Sequence, residues 1–124
     1  EGILLLGNSA DPFHPSSVRA STGAIFTQKI VKTSTEELRT WKEITSFPVI
    51  GTYCGEATAY RDYNYPEDMI LMMGSEQKGL QAEHLSLCNA LVTIPMAGDV
   101  DSLNIAVAAS VVLFEIFQQK GNSK

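Results

Sequence analysis

Short apolar runs recur along the chain, and each is bounded by glycine, proline or polar residues. Continuous apolar runs of this length are typical of strands that a parallel sheet buries. We therefore predict five strands, at 3–6, 25–31, 47–51, 69–73 and 90–94. The first of them ends at Gly7 and is expected to be buried on both faces.

Stretches with apolar residues three or four positions apart separate these strands and predict helices. Pro15 suits the first turn of one helix, with Val18 and Ala20 inside it. A short helix is expected over 80–88, with Leu80, Leu85 and Cys88 on its buried side, and a long one over 102–119 ending at Gly121.

A further helix is predicted after Ser34, because Ser34 and Glu37 have the spacing of a capping box. Leu38 and Trp41 follow on one face, and Ile44 lies one turn later. Strands that alternate with helices predict a single α/β domain over residues 1–124, with a mainly parallel sheet, helices on both faces and right-handed crossovers.

The last predicted helix is apolar almost all round. Its apolar residues are Ile105, Val107, Val111, Val112, Leu113, Phe114, Ile116 and Phe117. One face can pack on the sheet, so the opposite face needs a second cover. A second copy of the chain is the simplest cover, which predicts a homodimer through this C-terminal helix.

The formal net charge of −5 disfavours nonspecific binding of the chain to nucleic acid. Nucleic-acid-binding surfaces are normally basic, so any such role requires a local patch or a separate basic segment. Cys54 and Cys88 form no CxxC pair and are expected to be reduced thiols of a cytoplasmic protein. No apolar run has membrane-spanning length, and no basic stretch opens a secretory signal, so we expect no membrane partner.

Three strand ends carry residues that suit ligand binding. Gly51 ends the third strand and Thr52 follows it, Gly74 follows the fourth, and Ile94 ends the fifth. In open α/β sheets ligands lie beyond the carboxyl ends of strands, where glycine permits close approach of main-chain atoms. Ile94, Met96 and Leu103 offer apolar faces to a flat ring, which suggests a nucleoside-like ligand. Ordinary strand-to-helix turns would explain the same glycines.

Other chemistries fit less well. Residues 74–79 resemble a phosphate loop, but Leu80 stands where lysine is required. His14 and His84 are isolated, and no cluster has metal-ligand spacing, so no metal is expected. The tyrosines at 53, 60, 63 and 65 could stack RNA bases or simply pack over the sheet edge.

Two longer motifs carry a family resemblance. The stretch GSEQKGL at 74–80 and the series IPM at 94–96, SLN at 102–104 and AVAA at 106–109 follow one another in the chain. Together with DPF at 11–13 and VRASTGA at 18–24, they closely resemble the SpoU (TrmH-type) RNA ribose 2′-O-methyltransferases of the SPOUT superfamily. The resemblance spans nearly the whole chain.

That resemblance implies an α/β fold with a deep C-terminal trefoil knot, a homodimer, and methyl transfer from S-adenosylmethionine to rRNA or tRNA. It implies cofactor contacts at Gly74, Ile94 and Leu103, mainly through the main chain, with Gly51 and Thr52 as weaker assignments. Met96 is expected beside them.

The same resemblance assigns Glu76 as the acid of the second motif, and Ser102 and Asn104 as the polar pair near the reacting groups. Ser102 and Asn104 would also serve as caps of the last helix.

One departure from the family pattern leaves alternatives open. The first family motif carries an asparagine and an arginine on a strand–helix unit, and the chain begins in what resembles the following strand. Arg19 matches a later segment instead. We therefore expect a truncated catalytic domain that also lacks the RNA-binding extension of many relatives. The alternatives are a non-catalytic dimeric module that binds RNA or cofactor, and a generic nucleotide-binding domain.

Overall fold

The computed structural model describes residues 2–7, 13, 15, 29–75, 78–95 and 104–122. Its contacts divide the chain into two compact units, Glu1–Ile44 and Thr45–Lys124. Pro15 is helical as predicted, whereas Val18 and Ala20 lie outside the described residues.

The first unit contains a pair of parallel strands, β1 (Gly2–Leu6) and β2 (Lys29–Thr33), aligned from Gly2 opposite Lys29 to Leu6 opposite Thr33. Both strands were predicted, although β2 extends two residues past its expected end. The expected burial of β1 on both faces is wrong, because Ile3 and Leu4 are each 42% exposed. Among the described strands only β2 pairs with β1, and a sheet of two strands buries less apolar surface than a wider one.

Helix α1 (Thr35–Thr45) begins where the capping pattern predicted. The Ser34 hydroxyl accepts a hydrogen bond from the Glu37 backbone N–H at 3.1 Å and donates one to the Glu37 carboxylate at 3.3 Å. The carboxylate thus binds the hydroxyl of the capping residue instead of its backbone N–H. Leu38 is buried, whereas Trp41 and Ile44 remain exposed, and Ser46 follows the helix with a left-handed φ of 55°.

The second unit is built on a four-stranded sheet of β3 (Val49–Thr52), β4 (Thr58–Ala59), β5 (Ile70–Met72) and β6 (Ala90–Thr93). The strand order is β4-β6-β3-β5, and every pairing is parallel. This confirms the predicted parallel α/β architecture. The short edge strand β4 was not predicted, because its two residues lie within a polar, tyrosine-rich connection.

The fully buried side chains of this unit belong to its two central strands and to its last helix. Val49, Ile50 and Val92 are fully buried, as is Val112 of α3 (Ile105–Asn122). The apolar runs of β3 and β6 therefore mark strands with buried faces, as their composition indicated. Apolar burial of this kind contributes about 25 cal/mol per Å² and is the main stabilising term.

Two helix predictions need correction. The helix expected over 80–88 is the single turn α2 (Ala82–Leu85), and the buried side chain is Leu87, whereas Leu80, Leu85 and Cys88 are half-buried. Leu87 lies beyond α2, so helical spacing could not identify it.

Helix α3 ends at Asn122 and includes Gly121, which was expected to stop it. The connection from β6 to α3, where a C-terminal knot would form, contains residues 96–103, which lie outside the described residues.

Asn89 extends the central sheet through its side chain. Its Oδ1 accepts a hydrogen bond from the Val49 N–H at 2.9 Å, and its own backbone N–H donates to the Val49 carbonyl at 2.7 Å. Val49 is fully buried, so its N–H has no access to water. Asn89 therefore satisfies the first backbone groups of β3 just before β6 begins.

Replacement of Asn89 by alanine should lower the free energy of unfolding by about 1–3 kcal/mol, because the buried Val49 N–H loses its acceptor. Urea unfolding followed by circular dichroism measures this change. Asn64→Ala is the matched control, since Asn64 is exposed. Equal unfolding midpoints for the two variants would contradict the assigned role of Asn89.

Candidate functional site at the carboxyl edge of the sheet

The carboxyl ends of three neighbouring strands meet at one edge of the four-stranded sheet. Gly51 of β3 lies opposite Met72 of β5, and Thr52 of β3 lies opposite Val92 of β6. Gly74 and Ile94 each follow two residues after these partners, so the strand ends predicted from sequence are adjacent. This edge is the position at which open parallel sheets bind ligands.

Gly74 lies against the backbone of the loop that follows it. A Cβ at Gly74 would overlap the carbonyl carbon of Gly79 and the nitrogen of Leu80. The loop turns back because the Gly79 N–H donates to the Ser75 carbonyl at 2.8 Å, and Gly79 has a left-handed φ of 62°. The Lys78 N–H also donates to the Ser75 hydroxyl at 3.1 Å. Only glycine at 74 permits this close packing.

Gly51 has a packing role that the sequence did not reveal. A Cβ there would lie 2.6 Å from the Cys88 sulfur and 2.9 Å from a Leu80 methyl group. The missing side chain thus lets Cys88 and Leu80 pack directly on β3. The Cys88 thiol donates a hydrogen bond to the His84 carbonyl at 3.5 Å.

Thr52 leads into an exposed aromatic residue at the same edge. The Tyr53 N–H donates to the Val92 carbonyl at 2.9 Å, which continues the β3–β6 ladder one step past Thr52. The Tyr53 ring packs over Gly55, where an added Cβ would lie 2.6 Å from the ring.

Asn104 caps the last helix. Its side-chain oxygen accepts from the Ala106 N–H at 2.8 Å, and its carbonyl accepts from the Ala108 N–H at 2.8 Å. The capping role foreseen for Asn104 is therefore confirmed. A role near reacting groups stays a prediction. The other predicted site residues, Glu76, Met96, Ser102 and Leu103, lie outside the described residues.

A tyrosine-rich turn completes the edge next to β6. The Tyr60 N–H donates to the Thr93 carbonyl at 2.8 Å, so Tyr60 follows β4 beside the end of β6. The Tyr65 hydroxyl donates to the Tyr60 carbonyl at 2.7 Å, and the Tyr63 and Tyr65 rings meet edge-on at 5.1 Å. Tyr63 and Tyr65 are half-buried, which favours the packing interpretation of these two rings. Burial, followed by the nearby Glu115 charge, raises the pKa of Tyr65 to about 12.

Gln119 of α3 fixes this turn. Its side-chain oxygen accepts from the Tyr65 N–H at 3.1 Å, and its side-chain nitrogen donates to the Tyr63 carbonyl at 2.8 Å. Sequence reasoning missed this clamp, because Gln119 and Tyr65 are 54 residues apart and nothing local marks their pairing.

Two further properties concern the described residues alone. They contain no group of three or more histidine, cysteine, aspartate or glutamate side chains arranged to hold a metal ion. None of the described helices combines the length and hydropathy required to cross a membrane.

The SpoU rRNA Methylase family model matches residues 1–114. The chain belongs to this family. The match spans most of the chain and includes the strand ends described above, so the family resemblance seen in the two motifs is confirmed.

Two relatives illustrate how much of the chain is shared. The chain is 35% identical over 126 residues to the 23S rRNA (uridine(2479)-2′-O)-methyltransferase of Streptomyces viridochromogenes, covering 96% of this chain and 44% of that protein. It is 39% identical over 123 residues to a tRNA/rRNA methyltransferase of Synechocystis, covering 98% of this chain and 32% of that protein. The chain thus spans less than half of these relatives.

Solved structures of the family have the same fold. The SpoU methyltransferase AviRb from Streptomyces viridochromogenes in complex with AdoMet has a TM-score of 0.90 at 32% identity, over 98% of this chain and 50% of that one. The AdoMet-bound rRNA methyltransferase from Sinorhizobium meliloti has a TM-score of 0.88 at 37% identity, over 94% of this chain and 45% of that one.

Replacement of Gly74 by alanine should lower the free energy of unfolding by about 1–3 kcal/mol, since the new methyl group overlaps the Gly79–Leu80 backbone. Urea unfolding measures the change. Gly121→Ala is the control, because nothing lies within 4 Å of its Cβ position. In a helix this control should be neutral or stabilise by up to about 1 kcal/mol. Two indistinguishable unfolding curves would argue against close packing at Gly74.

Proposed function

We propose that this protein transfers a methyl group from S-adenosylmethionine to a ribose 2′-hydroxyl of rRNA or tRNA. The observation that carries the proposal is the edge formed by Thr52, Gly74 and Ile94 in a chain that belongs to the SpoU family. A named 2′-O-methyltransferase is among its relatives, which supports the ribose as the acceptor. Since the family model extends across both compact units, we also propose that residues 1–124 act as one methyltransferase domain.

We assign the methyl donor to the main-chain groups at Gly74, Ile94 and Leu103, with Thr52, Gly51 and Met96 nearby. The tight loop after Gly74 supports this assignment, because it holds the Gly79 and Leu80 backbone against the end of β5. Two similar structures contain bound AdoMet, which supports the same cofactor here. We further propose that the segment between β6 and α3 forms the trefoil knot that the family resemblance implies, with Leu103 beside Ile94.

The donor supplies an electrophilic methyl group on a sulfonium. The ribose oxygen must lose its proton as the new O–C bond forms and the S–C bond breaks, which requires a base within hydrogen-bond reach. We assign Ser102 and Asn104 to positions near the hydroxyl, and Glu76 to orienting the arginine of the first family motif. Alignment of the two reactants can lower such a barrier by several kcal/mol, about 7–11 at most.

We also propose a homodimer through α3. Phe114 and Phe117 are 63% and 74% exposed, and Val107 and Leu113 are exposed beside them. The charged residues of this helix, Glu115 and Lys120, are half-buried. Exposure of this apolar helix face to water is unfavourable. Burial against a second copy would remove the apolar side chains from water.

The groove beside this face supports the same conclusion. It has a volume of about 490 Å³ and is lined by Tyr60, Ser110, Val111, Phe114, Glu115 and Gln118. A large apolar side chain from a second copy would fill such a groove and exclude water from Phe114.

Replacement of Leu103 by glutamate should abolish binding of S-adenosylhomocysteine and methyl transfer to RNA, because a carboxylate would enter the proposed apolar cofactor contact. Isothermal titration with S-adenosylhomocysteine measures binding, and transfer of labelled methyl groups to total RNA measures activity. Both experiments use the protein at its full encoded length. Ile44→Glu is the control, since Ile44 is 79% exposed on α1.

The position of the methyl group is a separate readout. A 2′-O-methyl group blocks alkaline cleavage of the adjoining phosphodiester, so modified RNA should yield alkali-resistant dinucleotides. Labelled RNA without such dinucleotides would refute ribose methylation while leaving the methyltransferase intact. Cofactor binding without any transfer to RNA would favour the non-catalytic module.

Replacement of Phe117 by glutamate should convert a dimer into a monomer, because the new charge lies on the apolar face of α3. Sedimentation velocity at micromolar concentration measures the assembly state, and circular dichroism checks that the variant is folded. The Ile44→Glu variant again serves as control and should stay dimeric. A monomeric wild-type protein would refute the proposed interface.

A further inference from the structure

The turn after β4 presents a single exposed arginine at the carboxyl edge of the sheet. Tyr60 is hydrogen-bonded to Thr93 of β6, and Arg61 follows it directly. Parallel pairing puts the end of β4 beside the end of β6, where Ile94 begins the proposed cofactor contact. Arg61 is therefore next to the strand end at which the methyl donor is proposed to bind.

The backbone of this turn is fixed from two sides. Gln119 forms hydrogen bonds to the backbone of Tyr63 and Tyr65, and the Tyr65 hydroxyl binds the Tyr60 carbonyl. The Asp62 N–H also donates to the Ala59 carbonyl at 2.9 Å. A turn held by these bonds loses little further entropy when Arg61 binds a ligand, which favours binding.

The Arg61 side chain is attracted by the charges of Asp62 and Glu115, but no described acidic group forms a close ion pair with it. It is exposed, and it forms no ion pair with any residue that the structure describes. Its guanidinium donates to the Tyr60 hydroxyl at 3.2 Å and lies 5.5 Å from the centre of the Tyr60 ring. The hydrogen bond to Tyr60 raises the pKa of Arg61. Tyr60 thus holds a permanent cation whose remaining N–H groups face solvent.

We propose that Arg61 binds a phosphate of the RNA substrate beside the modified nucleotide, with Tyr60 as the residue that positions the guanidinium. This inference rests on the proposed function, because it requires an RNA substrate at the carboxyl edge. Arginine binds phosphate oxygens through paired N–H donors and is the usual residue for such contacts.

The charge of the chain makes such a contact important. These 124 residues carry a net charge of −5 and repel a polyanion at long range, so local cations among them must supply any attraction. Lys78, in the loop that follows Gly74, is exposed at the end of β5 on the same edge of the sheet. Arg61 and Lys78 therefore flank the strand ends at which the ribose would react.

Replacement of Arg61 by glutamine should weaken RNA binding about tenfold at low salt, the size expected of one charge-assisted contact. It should also reduce the slope of log affinity against log salt concentration by about one. Fluorescence anisotropy with a labelled rRNA or tRNA transcript measures both, using the protein at full encoded length. Arg61→Lys should retain the slope, since an ammonium group also binds phosphate.

Two controls separate the possible outcomes. Arg39→Gln removes an equal charge from the exposed face of α1 and should leave the salt slope unchanged. Titration with S-adenosylhomocysteine should give the wild-type affinity for Arg61→Gln, which shows that the fold and cofactor site are intact. RNA binding and salt slope equal to wild type in Arg61→Gln would overturn the phosphate contact while leaving the methyltransferase assignment unaffected. A change in sedimentation instead of RNA affinity would overturn it in favour of a contact with a second copy.

Discussion

Parallel pairing of β3 with a neighbour on each side is the constraint on which the candidate site depends. β5 and β6 both align with β3 in the same direction, so three chain segments leave the sheet at one edge. Burial of Val49 and Ile50 on opposite faces of β3 stabilises this arrangement, because apolar surface is removed from water on both sides of the sheet. The packing of β3 therefore determines the positions of the strand ends that form the candidate site.

Two glycines serve this edge in different ways. Gly51 lets side chains from residues 80–88 approach β3, whereas Gly74 lets backbone pack on backbone at the end of β5. The packing at Gly51 stabilises the core, and the packing at Gly74 determines the shape of the loop beside the proposed cofactor site. Both roles follow from the missing Cβ, and only the spatial neighbours of each glycine distinguish them.

The sequence predicted the parts of the fold that depend on local pattern. Apolar runs located β1, β3, β5 and β6, and the spacing of Ser34 and Glu37 located the start of α1. Features that depend on distant partners could not be read in this way. The two-residue strand β4, the bond from Asn89 to Val49 and the Gln119 clamp join residues far apart in the chain. The site motifs were recognised as a family pattern, but the packing that surrounds Gly51 was not.

Asn104 caps the start of α3, and the role proposed for it near the reacting groups would give one residue two duties. Its side-chain oxygen is already engaged by the Ala106 N–H, so that lone pair is committed to the end of α3. If Asn104 had both roles, an alanine variant would lose the helix cap and the proposed site group at the same time. A loss of activity in that variant could then not be assigned to either role alone. Serine and aspartate keep the structural duty while changing the chemistry, so they are the informative replacements at this position.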